Sequence, residues 1–269
     1  MTETQYLSRP QGRIAYDLSG DGPLVVCVPG MGDLRSTYRH LAPGLVAAGY
    51  TAVTVDLRGH GDSDTGFDSY GDVETAEDLA ALLDSLGRPA VIVGNSMGAG
   101  AGAYLAAIRP ELVTGLVLLG PFVRDAETSV LQRLLLRVAM AAPWAAMSWK
   151  AYLPKLYAGR RPEDLDEHLA LVSAALRRPG YARAFSQTTR LSHAPAAERL
   201  HEVSTPTLVV MGELDPDFPD PAAEAAWIAD QLDGEVLMVP EAGHYPQAQR
   251  ADLVTPAVVA FLESVGSDA

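Results

Sequence analysis

The stretch Ala90-Val91-Ile92-Val93-Gly94-Asn95-Ser96-Met97-Gly98-Ala99-Gly100-Ala101-Gly102-Ala103 decides how this chain is read. An apolar, mostly β-branched run predicts a strand, glycines bracket a serine, and the small residues beyond let a helix lie close to a sheet. A strand that turns sharply into a helix with serine at its apex exposes that serine as a nucleophile. The pattern G-x-S-x-G alone arises by chance in about one chain in ten of this composition, so its surroundings must carry the inference. Taken alone, Ser96 is equally well read as a helix N-cap.

Outward from the serine the chain alternates. Residues 13–18 and 24–28 read as early strands separated by Ser19-Gly20-Asp21-Gly22-Pro23, a hairpin signal. Residues 34–48 have helical periodicity, 51–55 form an apolar strand, and 73–86 form a helix closed by Gly87. Strand 90–93, the serine turn, helix 97–108 and strand 116–119 repeat the pattern. Unbroken apolar strands alternating with helices predict a mostly parallel, doubly wound α/β sheet. After Pro121 no strand signal appears until 207–211, so the intervening residues read as an inserted, helical subdomain. Leu131, Leu134, Leu135 and Val138 share one helical face there, and Leu165, Leu169, Val172 and Leu176 another. The organisation expected is a core over 1–121, a cap over 122–200 and the rest of the core over 201–269.

Open α/β sheets bind ligands beyond the carboxyl ends of their strands. Ser96, Asp215 and His244 each fall just past such an end, in the chain order Ser, Asp, His that belongs to nucleophile-elbow hydrolases. Imidazole can take the serine proton near neutral pH, and a buried carboxylate can hold the imidazole in the right tautomer. Asp217 and Asp125 remain open as alternatives to Asp215.

With these placements the chain resembles the α/β-hydrolase superfamily, of the compact bacterial esterase, haloperoxidase-like and C–C hydrolase type. The resemblance rests on Pro29-Gly30-Met31-Gly32, on Asp56 to Ser63, on Gly94 to Gly98, on Gly212 to Asp215 and on Gly243-His244. It implies a helical cap inserted after the sixth strand and an oxyanion hole formed by the amides of Met31 and Met97. It also implies acyl chemistry on a small to medium apolar ester, thioester or lactone. C–C bond hydrolysis with the same triad is the alternative within the fold, and a ligand-binding or sensing protein is the alternative of another class. Gly30, Trp144, Trp149, Tyr152 and Tyr157 are the expected substrate-lining residues, although the aromatics equally read as glue between cap and core. His60 and the Asp56–Arg58 pair read as structural. Two departures stand out: Pro29 replaces a histidine common in relatives, and Gln249 stands where many carry glutamate, a change expected to act on packing or charge rather than catalysis.

Composition bounds the rest. Apolar residues make up 48% and charged residues 20%, and the net charge is −14, a field that repels nucleic acid and anionic lipid. No stretch is an uninterrupted apolar span of about 20 residues, and the N-terminus lacks a secretory pattern, so a cytoplasmic protein without a membrane span is expected. The single Cys27, in an apolar run, excludes an internal disulfide. Histidine spacing offers no metal motif, and Gly98-x-Gly100-x-x-Ala103 lacks the following acidic residue of a dinucleotide site, so neither metal nor cofactor is expected. A homo-oligomer is compatible with the sequence but not dictated by it.

Overall fold

A computed structural model describes residues 3–125, 135, 137–142 and 144–267. Eight strands form one sheet: β1 (Gln5–Arg9), β2 (Gly12–Ser19), β3 (Leu24–Val28), β4 (Thr51–Val55), β5 (Ala90–Asn95), β6 (Val113–Leu119), β7 (Thr207–Gly212) and β8 (Glu235–Val239). Their spatial order is β1-β2-β4-β3-β5-β6-β7-β8; β2 runs antiparallel to both neighbours and every other pairing is parallel.

The hairpin expected between 13–18 and 24–28 does not form, because β4 lies between β2 and β3. The reason is burial. β3 is buried at every residue and pairs on both edges, Leu24 facing Thr51 on one side and Ala90 on the other, whereas β2 is only partly buried. An all-apolar strand belongs at the centre of the sheet, and an amphipathic one suits its margin. β1, which the sequence reading missed, is mostly exposed and carries no hydrophobic alternation to announce it.

Helices cover both faces. On one, α2 (Asp72–Leu86), α3 (Met97–Ile108) and the helix Pro221–Leu232 bury Leu79, Leu83, Leu105 and Ile228 against Ile92, Leu116 and Leu118. On the other, α1 (Leu41–Ala47) and the helix Ala251–Ser267 bury Leu41, Leu45, Val254 and Val258 against Val25, Val91, Val93 and Val117. Neighbouring residues of one strand thus feed opposite layers. The helix expected over 34–48 is divided into a 3₁₀ turn, Arg35–Tyr38, and α1.

Between β6 and β7 the described residues hold no strand. Helices Ala145–Leu156, Leu165–Ala175 and Tyr181–Thr188 gather Trp149, Leu153, Leu156, Leu165, Val172, Leu176 and Phe185 into a third core that also takes in Tyr245 and Ala248. Of the other expected helical face, Leu131 and Leu134 lie outside the described residues, and Leu135 and Val138 are exposed. No helix among the described residues is long and apolar enough to cross a membrane.

Candidate active site

Ser96 sits between β5 and α3 with φ 55° and ψ −122°, a backbone conformation that costs a serine of order 1–3 kcal/mol. The glycines around it are sterically required. A Cβ on Gly94 would lie 2.4 Å from the Gly98 carbonyl oxygen, and one on Gly98 would lie 2.4 Å from that of Val28. The strained residue is pinned on both sides: its amide donates to Leu119 O at 2.9 Å, and its carbonyl accepts from Ala99 and Phe122.

Asp215 and His244 follow β7 and β8, and the two turns are stitched together by the Leu214 amide donating to Ala242 O at 2.9 Å. His244 Nδ1 meets Asp215 Oδ2 at 2.7 Å with both side chains buried. The other Asp215 oxygen accepts the Asp217 amide at 3.0 Å. Of the two alternative acids, Asp217 stands 3.8 Å from His244 Nδ1 and takes the Tyr152 hydroxyl, whereas Asp125 binds Ser192 Oγ and the His193 amide. Burial pulls the His244 pKa down, but the charge and hydrogen bond of Asp215, aided by Asp217 and Asp33, prevail and raise it to about 9.

Ser96 and His244 approach through neighbours. Asn95 Nδ2 donates both to Leu119 O, at 2.9 Å, and to His244 O, at 3.1 Å. The Phe122 ring stands edge-on to His244, and its amide binds the Ser96 carbonyl. Among the described residues no hydrogen bond joins Ser96 Oγ to His244; such contacts often tighten only when substrate binds.

The loop after β3 passes beside the serine. A Cβ on Gly30 would lie 2.7 Å from Ser96 Cβ, so only glycine lets the backbone come this near. No protein acceptor is found among the described residues for the amides of Met31 and Met97, and Met97 opens α3, whose dipole favours an anion there. Gly32 is held from two directions: its amide donates to His60 Nε2 at 3.0 Å, and its carbonyl accepts Trp149 Nε1–H at 2.8 Å. His60 Nδ1 donates in turn to Arg58 O, and burial keeps this imidazole below its ordinary pKa, as an acceptor needs. Next in the chain, Asp33 meets His168 Nε2 at 2.8 Å with neither side chain exposed.

The expected lining aromatics divide. Tyr152 is half-buried beside Asp217, Tyr157 is buried and stacked on Tyr245 at 4.6 Å, and Trp149 is 5% exposed with its indole N–H bound to Gly32. Trp144 is 42% exposed and donates to Val138 O. Asp215, Asp217 and His244 also bring ligand atoms within 4.8 Å of one another, but there the closest oxygen and nitrogen share a proton. A groove of about 1030 Å³ elsewhere, between α1 and the helix Leu165–Ala175, contains none of Ser96, Asp215 or His244.

Sequence reasoning missed three supporting residues: Asn95 was hidden in a variable position of the motif, and Asp33 and His168 find each other 135 positions apart. His60, read as structural, holds the Gly32 amide. Gln249 proved more specific than a packing change. Its amide oxygen accepts the Gly243 N–H at 2.9 Å, while its NH₂ donates to Ala158 O at 2.7 Å and Arg160 O at 2.9 Å, clamping the turn that carries His244.

A family model described as "Alpha/beta hydrolase family" matches residues 25–257. The chain belongs to that family. The hydrolase is 29% identical over 266 residues to the 2-(acetamidomethylene)succinate hydrolase of Mesorhizobium japonicum, covering 94% of this chain and 93% of the relative. It is also 29% identical over 277 residues to the 2-hydroxy-6-oxononadienedioate/2-hydroxy-6-oxononatrienedioate hydrolase of Comamonas testosteroni, covering 93% and 91%. The crystal structure of the enol-lactonase from Burkholderia xenovorans LB400 shares its fold, with a TM-score of 0.80, 22% identity, and 96% and 100% of the two chains covered.

Proposed function

We propose that this hydrolase is a cofactor-independent serine hydrolase acting on an ester, thioester or lactone of a small to medium apolar molecule. The observation that carries the reading is the buried 2.7 Å contact of His244 Nδ1 with Asp215, at the same carboxyl end of the parallel strands as a serine held at φ 55°. In the first half-reaction Ser96 Oγ attacks the carbonyl carbon while His244 Nε2 takes the hydroxyl proton. The tetrahedral oxyanion accepts hydrogen bonds from the amides of Met31 and Met97, each worth about 2.7–4 kcal/mol in comparable sites. Collapse breaks the bond to the leaving oxygen or sulfur, which receives the proton from the imidazolium. Water then repeats the sequence on the acyl-serine, releasing the acid and restoring Ser96.

Serine at position 96 supports acyl chemistry over the aspartate-nucleophile reactions of this fold. The choice of substrate is assigned to the helices between β6 and β7, where the Tyr152 hydroxyl binds Asp217 beside His244. Labelling by a fluorophosphonate mapped to Ser96, together with turnover of a panel of acyl esters, lactones and thioesters, tests the proposal. A folded sample that fails to label, or a Ser96→Ala protein with full turnover, refutes it.

A further inference from the structure

One helix between β6 and β7 touches the loop after β3, the neighbour of Asp215 and the turn that carries His244. From Ala145–Leu156, Trp149 donates to the Gly32 carbonyl at 2.8 Å, the Tyr152 hydroxyl binds Asp217, and the Leu156 carbonyl accepts the His244 amide at 2.8 Å. Positions 149, 152 and 156 have the i, i+3, i+7 spacing of one helical face.

The Trp149 contact is the most consequential. Gly32 follows Met31, whose amide is a proposed oxyanion donor, and it lies at φ +75°. Both its backbone polar groups are held, the amide by His60 of the core and the carbonyl by Trp149. A ring cluster closes round it: Trp149 packs on Phe185 at 5.4 Å, and Phe185 stands edge-on to His60 at 6.4 Å. A Cβ on Gly32 would lie 2.6 Å from the indole and 2.7 Å from Phe185. Rotation of the 31–32 segment would therefore break a buried hydrogen bond or collide with a ring. Asp33, one residue on, is tied to His168 on Leu165–Ala175, so the loop has a second anchor outside the core.

We propose that Trp149 is a positioning residue for the oxyanion site: acting through Gly32, it aims the Met31 amide, so that the site is complete only while Ala145–Leu156 is seated on the core. This rests on the serine-hydrolase reading above. It assigns to an aromatic read equally as pocket lining or as glue between cap and core a role in the transition state rather than in substrate affinity.

The test is Trp149→Phe, which keeps a ring but deletes the N–H, assayed with a short-chain p-nitrophenyl ester beside wild type and Ser96→Ala. Because one lost oxyanion donor costs 10²–10³ in kcat, a misaimed one should lower kcat about tenfold while KM moves less than about twofold. Affinity for an alkylboronic acid, whose boron bonds to Ser96 Oγ and becomes tetrahedral, should fall in parallel. Should the phenylalanine protein fail to fold, a benzothienylalanine at position 149 keeps the indole's shape and still lacks the N–H. Either variant showing unchanged kcat and boronate affinity overturns the inference, as does a raised KM with unchanged kcat, the signature of a residue that only lines the pocket. Turnover retained by Ser96→Ala would instead refute the underlying reading, whatever Trp149→Phe does.

Discussion

Asn95, the residue immediately before Ser96, donates its side-chain N–H to the backbone carbonyl of His244 at 3.1 Å, from a fully buried position. The strand that ends at Ser96 is thereby fastened to the turn that carries His244. The same NH₂ satisfies Leu119 O at the end of the neighbouring strand. Asn95→Ala leaves two buried carbonyls without that donor, so it should lower unfolding free energy by about 1–3 kcal/mol in a urea titration. It should also depress kcat, because the separation of Ser96 from His244 is no longer held.

With His244 as the proposed base, the pH profile should report on this group. An imidazolium cannot act as a base, and Asp215 and Asp217 raise this group to about 9 against the opposing effect of burial. The kcat/KM of the free enzyme should therefore rise with pH through an apparent pKa well above the ordinary histidine value of 6.5. Asp217→Asn removes one raising charge and should move the profile toward lower pH; an unmoved profile would show that Asp217 does not act on His244. The linked effect on stability has a definite sign. A raised folded pKa contributes stability that is complete below 6.5 and is lost as pH climbs through about 9, which unfolding midpoints across that window would display.

Gln249 serves the His244 turn as both acceptor and donor, and in these surroundings an ionised glutamate would keep only the acceptor half. Gln249→Glu deletes the donors to Ala158 O and Arg160 O and turns a negative charge toward both carbonyls. The expected loss is about 3 kcal/mol at pH 7. Burial raises the pKa of an introduced carboxylate, so the penalty should shrink as pH falls and the group takes up a proton. Thermal melts at several pH values would reveal this slope, and its absence would contradict the clamp.

The Asp33–His168 pair joins the loop after β3 to the helix Leu165–Ala175 with no solvent exposure of either side chain. Burial works to raise the Asp33 pKa, but His168 outweighs it and holds the carboxyl below its ordinary value. His168→Leu strands a buried carboxylate and should cost about 3–5 kcal/mol, whereas adding Asp33→Asn should recover part of that loss. A double-mutant cycle showing no coupling would remove the pair from the account of how the loop is anchored.

Much of this was legible along the chain because the signals are local. Glycine spacing around Ser96 reflects steric need between near neighbours, since a Cβ on Gly94 would lie 2.4 Å from the Gly98 carbonyl oxygen, and apolar runs with helical stops between them mark most strands and helices. What failed to show was pairing at a distance. The turn at 19–23 carried every local sign of a hairpin, yet β2 and β3 part company because the sheet ranks strands by how completely they can be buried. β1 gave no sign at all, since an exposed margin strand needs no apolar alternation.

The amino-acid sequence determined the alternating α/β pattern, the strand-turn-helix around Ser96 and the chain order of Ser96, Asp215 and His244, because periodicity, turn chemistry and steric need are properties of short segments. Only the tertiary structure decided which carboxylate meets His244, that Gln249 and Asn95 hold its turn, and that Trp149 and His60 hold both backbone polar groups of Gly32. Those contacts join residues up to 149 positions apart, and their geometry follows from how buried surfaces close on one another.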